Sequence, residues 1–433
     1  MHVYFSGIGG AGIGPQAILA QQAGYKVSGS DSADSSYIEY LREHGIDDVH
    51  IGQSSEQIAE AHAKEPIDWF VYSAALPLTD PDHPELKFCK ANGIKNSNRS
   101  EFTNQIIKDK NLQVIAVAGT HGKSTATAMA VWLFQQLGVP ISYLVGAKLN
   151  FADSAHYEPG SRLFIYEADE YHHNFLNFHP QTSLISGIDW DHPDFYPTRE
   201  EYYQAFRDFI NQSKHTALWR EDARRLELKS NNSLTILDEH EPAIDRSLMM
   251  LKGRVNRLNA WLVANELKNM VGSKPFADIL GVLNQFPGLS RRFEKITMGL
   301  YTDYAHTPAK IRGALQTAQE TGGNNVVVVY EGLHNTRQHF IKAELANLFD
   351  DVKQLYIVPS FLAREDKTLE LLTPTKLLNM LSNKSKNHAV AAEKDQALKD
   401  KIQQHIAEGD LVLALSAGGA GSLDEWLRQE FKA

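Results

Sequence analysis

The sequence predicts an α/β protein of about three domains, and three observations carry that prediction. The chain has 433 residues, enough for several hydrophobic cores. Two glycine-rich turns, at 7–14 and 119–124, each follow a short apolar run and precede a helical pattern. In the last third, apolar runs at 326–330, 354–358 and 411–415 alternate with helical stretches, as in a doubly wound sheet. The expected plan is a Rossmann-like domain at 1–110, a central P-loop-type ATPase domain with a mostly parallel sheet at 111–290, and a Rossmann-like α/β domain at 291–433.

Composition narrows the class. Hydrophobic content of 42% and charged content of 22% are those of an ordinary globular chain. A net charge of −10 argues against a general nucleic-acid binder, while leaving room for small anions held by local positive charge. The one cysteine, Cys89, rules out an internal disulfide or a cysteine zinc cluster and fits a reducing compartment. No signal-peptide pattern opens the chain, and no apolar run approaches the roughly 20 residues of a membrane helix. The expectation is a soluble, cytoplasmic protein without nucleic-acid or membrane partners.

In chain order, 2–6 reads as a strand, followed by Gly7, Gly9 and Gly12 in dinucleotide-fingerprint spacing and a helix over 15–23. A second strand at 25–29 leads to Asp31, about 20 residues on, where an acid meets a ribose hydroxyl. Two readings stay open: a nucleotide-diphosphate cradle, or glycines needed only for helix–strand packing. A strand at 69–73 ends in Ser73, a Pro- and Asp-rich loop covers 77–84, and Phe102, Ile106 and Ile107 mark an amphipathic helix. Polar 108–111 reads as a linker and sets the first boundary near Lys110.

The central stretch is more specific. Apolar 114–118 reads as a buried strand, then Gly119-Thr120-His121-Gly122-Lys123-Ser124-Thr125 turns into a helix running to Gln136. Glycines let backbone N–H groups approach anionic oxygens, and the helix N-terminus adds donors. Lys123 can reach β/γ-phosphates and the Ser124 hydroxyl can sit on magnesium, which makes this a nucleoside-triphosphate site. Val117 stands where the common P-loop has its first glycine.

Strands at 142–145, 162–166 and 182–188 follow. The second ends in Glu167-Ala168-Asp169-Glu170 and the third in Asp189-Trp190-Asp191-His192-Pro193-Asp194. One acidic turn is common; two after successive strands, at one sheet edge, point to magnesium. His192 is open on chemistry alone, since imidazole is a less usual magnesium ligand than carboxylate. His172 and His173 fit no ligand spacing and read as surface or substrate-facing.

Tyr203, Phe206 and Ile210 form an apolar stripe on a helix over 200–211, expected in the core. The polar stretch 220–246 gives no readable pattern. Asn256 and Asn259 share one face of a helix opening at Gly253; they could meet a base edge or be merely solvated. Arg291 and Arg292 lie in a hinge-like turn at 287–294, the second boundary, where an arginine could clamp phosphate or remain solvated. A strand at 300–304 carries Asp303, and the glycine-rich 416–422 could bind phosphate or serve close packing.

Taken together, Gly119 to Ser124, Glu167 to Glu170, Asp191-His192, Gly253 to Ala260, Arg291 to Glu294 and Asp303 to Pro308 occur in an order that resembles the Mur ligase family. These are the ATP-dependent amide-forming enzymes of peptidoglycan precursor synthesis, and the resemblance covers essentially the whole chain. Gly7 to Gly12 with Asp31, Glu170-Tyr171 with Asn174-Phe175-Leu176, and Ile188 to Asp194 look most like the branch that joins L-alanine to UDP-N-acetylmuramate. A sister branch that ligates a recycled tripeptide shares much of this.

The resemblance implies UDP-sugar, ATP and amino-acid domains in that order, with ATP and Mg2+ as cofactors. Gly119, Thr120, His121, Gly122, Lys123, Ser124 and Thr125 would hold ATP phosphates; Asn256 and Asn259 would contact adenine, Arg292 the γ-phosphate and Asp303 the ribose. Ser124 and Glu167 would ligate magnesium, and His192 a second magnesium near the substrate carboxylate. Gly9, Gly10, Ala11 and Gly12 would line the UDP diphosphate, with Asp31 near uridine and Ser73 on the same ligand. Catalysis would rest on Lys123, Glu167, His192 and Arg292, in a monomer or weak homodimer. Two departures bear on this: Val255 replaces a histidine beside the adenine, and 331–337 only partly matches a family segment of the amino-acid domain.

The implied chemistry is activation of a carboxylate as an acyl phosphate, followed by attack of a neutral amine; His306 is a candidate base by chemistry only. The same residues also admit two rival readings. A nicotinamide-dependent oxidoreductase would use the first glycine turn and Asp31. A nucleotide-gated regulator would keep the domains without turnover.

Overall fold

The apolar runs without period-two alternation become strands buried on both faces, as parallel strands covered by helices must be. His2–Ser6 is buried at every position, and so are Val326–Leu333 and Leu411–Leu415. The computed structural model describes residues 1–10, 12–73, 76–192, 195–363 and 365–431. Ala11, expected on the diphosphate, and Pro193 and Asp194 of the second acidic turn lie outside the described residues.

The strands form three sheets. The first takes β1 (His2–Ser6), β2 (Lys26–Asp31), β3 (Val49–Ile51), β4 (Trp69–Tyr72) and β5 (Lys95–Asn98) in the order β3-β2-β1-β4-β5, with parallel pairing throughout. Strand order reverses between β1 and β4, so the first glycine turn and Ser73 lie beyond adjacent carboxyl ends at the switch point, where ligands of such sheets bind.

The second sheet takes β6 (Gln113–Ala118), β7 (Ser142–Leu144), β8 (Ala155–His156), β9 (Leu163–Glu167), β10 (Thr182–Ile185), β11 (Thr216–Trp219) and β12 (Leu234–Leu237). Its order is β12-β11-β10-β6-β9-β7-β8, and among its described pairings only β7 with β8 is antiparallel. β6 therefore lies between β9 and β10, which brings the phosphate turn and both acidic turns to one edge.

The third sheet takes β13 (Glu294–Thr297), β14 (Leu300–Asp303), β15 (Val326–Leu333), β16 (Gln354–Phe361), β17 (Ala389–Ala391) and β18 (Leu411–Leu415), in the order β13-β14-β18-β15-β16-β17. Only β13 runs antiparallel to its neighbour among the described pairings. Two compact units result. One comprises Met1–Glu241 with Asn259–Leu283 and holds the first two sheets; the other comprises Pro242–Leu258 with Asn284–Ala433 and holds the third. Among the described residues no helix is long and apolar enough to cross a membrane.

Several local expectations need correction. The strand expected over 182–188 stops at Ile185, because Gly187 (φ 151°) turns the chain against the phosphate turn, where a Cβ would meet the His121 ring at 2.2 Å. The unreadable stretch 220–246 folds as helix Arg220–Arg225, β12 and helix Pro242–Ser247. β12 is a half-buried four-residue edge strand, too short to show a period. In the helix Arg199–Gln212, Tyr202 rather than Tyr203 is the fully buried tyrosine of the stripe.

Candidate functional site

The phosphate turn connects β6 to the helix Lys123–Gln136. Gly119 (φ 141°) and Gly122 (φ 79°) adopt backbone that a side chain would resist, and Gly122 also leaves room for Asn259, whose Oδ1 would lie 2.7 Å from a Cβ there. Thr120 fastens the turn: its N–H donates to Gly187 O at 2.8 Å, and its hydroxyl donates to Asp189 O at 2.6 Å and lies 2.7 Å from the Tyr202 hydroxyl. Ser186 Oγ donates to His121 O at 2.5 Å.

Two acids from the end of β9 face this turn. Ser124 Oγ donates to Glu167 Oε1 at 2.7 Å, and the other oxygen of Glu167 accepts Gly146 N–H at 2.7 Å. Lys123 Nζ donates to Gly119 O and to Glu170 Oε2, both at 2.7 Å. Burial alone would lower the lysine pKa, but the carboxylates of Glu170, Asp169 and Glu167 outweigh it and hold Lys123 charged.

Glu170 is the residue that the sequence reading placed in the acidic turn without a role. It is buried, its Oε1 accepts the Tyr202 hydroxyl at 3.3 Å and lies 3.7 Å from His192 Nε2, and its backbone carbonyl accepts Tyr196 OH at 2.6 Å. The structure thus forms two groups, Ser124 with Glu167 and Lys123 with Glu170 and His192. His192 itself has φ 57°, and its ring packs at a 31° tilt against Tyr171, with centroids 4.5 Å apart. His172 and His173 also have left-handed backbone, and their rings pack against Phe195.

Hard oxygen donors fit a divalent cation here. The Ser124 hydroxyl and the Glu167 carboxylate already converge within 2.7 Å on the face of the phosphate turn. A nucleotide also fits: Thr125 heads the same helix, and Asn259 Nδ2 is buried beside Gly122 with no partner among the described residues.

In the first sheet, Asp31 is the last residue of β2 and its Oδ2 accepts Gly9 N–H at 2.8 Å, so the acid lies on the glycine turn. Gly10 N–H donates to Gly7 O, which closes the turn. Sequence reasoning missed Arg99. Its Nη1 donates to Gly12 O at 3.0 Å and would lie 2.7 Å from a Cβ at that glycine. A helix-opening arginine 87 positions away gives no sequence signal of this contact.

In the second unit, the hinge-like turn presents Arg292 between Arg291 (φ 58°) and Phe293 (φ 46°). Asp303 is partly buried and accepts Phe293 N–H at 2.8 Å; loss of hydration pushes its carboxyl up, opposed by Arg292. Asn256 turns its amide onto Lys252 O at 2.8 Å, and Val255 is exposed. His306 is nearly buried, with Nδ1 2.9 Å from Tyr304 O and Nε2 3.4 Å from Lys310 Nζ. In the atypical segment, Glu331 is buried and structural, accepting Lys394 Nζ at 3.0 Å and Ser416 Oγ at 2.7 Å.

A parallel sheet whose central strand feeds a Gly-Lys-Ser turn, with paired acids from the neighbouring strand, defines a nucleoside-triphosphate-using α/β enzyme. Residues 2–111 match the Mur ligase family catalytic domain, 117–238 the Mur ligase middle domain, and 291–418 the glutamate ligase domain of Mur ligases. The chain belongs to the Mur ligase family and is an ATP-dependent amide ligase.

Its relatives include the UDP-N-acetylmuramate–L-alanine ligase of Clostridium tetani, 30% identical over 96% of this chain and 95% of the relative. That of Clostridium perfringens is 29% identical over 98% and 96%. Among solved structures, UDP-N-acetylmuramate–alanine ligase of Thermotoga maritima superposes with a TM-score of 0.75 at 22% identity, covering 99% of this chain and 98% of that one. A murein peptide ligase of Psychrobacter arcticus gives 0.64 at 19%, covering 100% and 99%.

Proposed function

We propose that this protein joins L-alanine to the carboxylate of UDP-N-acetylmuramate, converting ATP to ADP and phosphate, as a cytoplasmic step of peptidoglycan precursor synthesis. The observation that carries the reading is end-to-end kinship, since ligases named for this reaction align with nearly the whole chain. The reading gives 1–110 to the nucleotide sugar, 111–290 to ATP and 291–433 to the amino acid.

The chemistry follows from charge. A carboxylate resists amines because oxide would have to leave; transfer of the γ-phosphoryl group to it gives an acyl phosphate, from which phosphate can leave. Lys123 neutralises the transferring group, exchanging its bond with Glu170 for phosphate oxygens, and Arg292 does the same from the hinge turn. Glycine-turn N–H groups and Thr125 orient the phosphates, Asn256 and Asn259 the adenine, and Asp303 the ribose. Gly9, Gly10, Ala11, Gly12, Asp31 and Ser73 hold the nucleotide sugar.

Ser124 and Glu167 would hold one Mg2+ and His192 a second, and these ions would supply charge neutralisation to phosphate and carboxylate oxygens. The protein works as a monomer or weak homodimer, which sedimentation at working concentration checks.

Phosphate release from ATP and magnesium is the test, with UDP-N-acetylmuramate and one amine at a time: L-alanine, glycine, L-serine or L-Ala-γ-D-Glu-meso-diaminopimelate. Release that needs L-alanine, with a product heavier by one alanyl residue, is expected. Release with the tripeptide alone would reassign the protein to the recycling branch, and absence of release with every amine would leave a regulator that binds nucleotides.

A further inference from the structure

We propose that Arg428, in the last helix (Leu423–Glu430), is a positioning residue that sets the orientation of Arg292 from 136 positions downstream. The inference rests on the reading of Arg292 as a γ-phosphate ligand and concerns what holds it in place.

Arg292 is flanked by two non-glycine residues with left-handed backbone, Arg291 and Phe293. Such conformations persist only where the surroundings over-determine them. Here the surroundings are two carboxylates. Glu294 Oε2 accepts Arg291 N–H at 2.7 Å and the Ser290 hydroxyl at 3.2 Å, while Asp303 accepts Phe293 N–H. Arg291 is held further by its own side chain, whose Nη2 donates to Ser416 O and Gly418 O, each at 2.9 Å.

Arg428 locks this arrangement. Its Nη2 and Nη1 reach the two oxygens of Glu294 at 2.5 and 3.3 Å, and its Nε donates to Asp424 Oδ2 at 3.1 Å. Asp424 accepts the Thr302 hydroxyl at 2.8 Å and lies 3.3 Å from Arg291 Nε. One planar guanidinium therefore ties Glu294 of the hinge turn to Asp424 of the last helix, which in turn holds Thr302 of β14, a task that a point-charge lysine cannot reproduce. Arg292 itself has no carboxylate within ion-pair distance among the described residues; its guanidinium lies 5.2 Å from the Tyr304 ring centre, beside that of Arg291 at 4.7 Å. The turn is fixed while the presented cation is left for an anion.

The test compares Arg292→Ala, Arg428→Met, the double variant, and the milder Glu294→Gln and Arg428→Lys in steady-state phosphate release. Expected for Arg428→Met is a rise in KM for ATP of about tenfold, with KM for UDP-N-acetylmuramate unchanged; the double variant should be no worse than Arg292→Ala alone. Arg428→Lys and Glu294→Gln should fall between wild type and Arg428→Met, and they keep the test alive should Arg428→Met not fold. Unchanged ATP parameters in the folded Arg428 and Glu294 variants, beside an impaired Arg292→Ala, would overturn the inference. So would losses that multiply in the double variant, the signature of a merely structural staple. Wild-type kinetics in Arg292→Ala would instead show that the phosphate reading of Arg292 has failed.

Discussion

Lys123 and Glu170 meet at 2.7 Å beneath the phosphate turn, although 47 positions separate them in the chain. The pair explains how a lysine largely withdrawn from water stays charged, because the carboxylate supplies what water cannot. Lys123→Ala is therefore expected to reduce phosphate release by about a hundredfold or more, and to lower stability as well, because it leaves the buried Glu170 carboxylate unpaired. Glu170→Gln keeps an acceptor for the lysine and should cost less, about tenfold, mainly in kcat. Single-turnover phosphate release on folded variants checks both.

The contact between Ser124 and Glu167 gives a metal-specific prediction. Ser124→Ala removes one oxygen donor and leaves the carboxylate, so the magnesium concentration for half-maximal activity should rise by about tenfold, with a smaller effect at saturating metal. A magnesium titration of phosphate release reads this directly; an unchanged midpoint would remove Ser124 from the metal site.

Gly187 predicts a steric lesion. A Cβ there would meet the His121 ring at 2.2 Å, and the position has φ 151°. Gly187→Ala should push His121 and the phosphate turn apart, weakening ATP binding by about tenfold or more while UDP-N-acetylmuramate binding is unchanged. Calorimetric titration with each ligand separates the two.

Asp222 sets a pH dependence of stability. Burial pushes its carboxyl up to about 7, above the unfolded value, although it accepts Ile188 N–H at 3.1 Å. The folded state then binds the proton more tightly, so this group's contribution to stability is greatest below about pH 4. It declines as pH rises from about 4 to about 7, and is flat above. Asp222→Asn keeps the acceptor for Ile188 and removes the titration. The variant should be more stable than wild type at pH 8 by about 1–3 kcal/mol, with a smaller difference at pH 5, in urea unfolding at the two pH values.

What the sequence revealed and what it concealed divide along physical lines. Val114 to Ala118, a continuous apolar run ahead of a Gly-Lys-Ser turn, could be placed because strand, turn and helix each leave a local signature. The two acidic turns were legible for the same reason, and β9 and β10 do flank β6. Glu170 was visible only as one acid among several; its pairing with Lys123, Tyr202 and His192 comes from three separate elements, and no spacing encodes it. Arg99 and Arg428 were hidden likewise, because an arginine's reach is a property of the packed fold. The edge strands β12 and β17 escaped because three or four half-exposed residues establish no period.

The three sheets draw on strands β1–β5, β6–β12 and β13–β18, and among the described residues no strand crosses from one set to another. A chain emerging from the ribosome can therefore complete the first sheet before the second has been translated, and the second before the third. Parallel pairing, the slow and aggregation-exposed part of folding, is confined to partners from one contiguous segment. The order of synthesis thus serves as a chaperone of a kind, keeping unpaired edges of one sheet from meeting those of another while each is still incomplete.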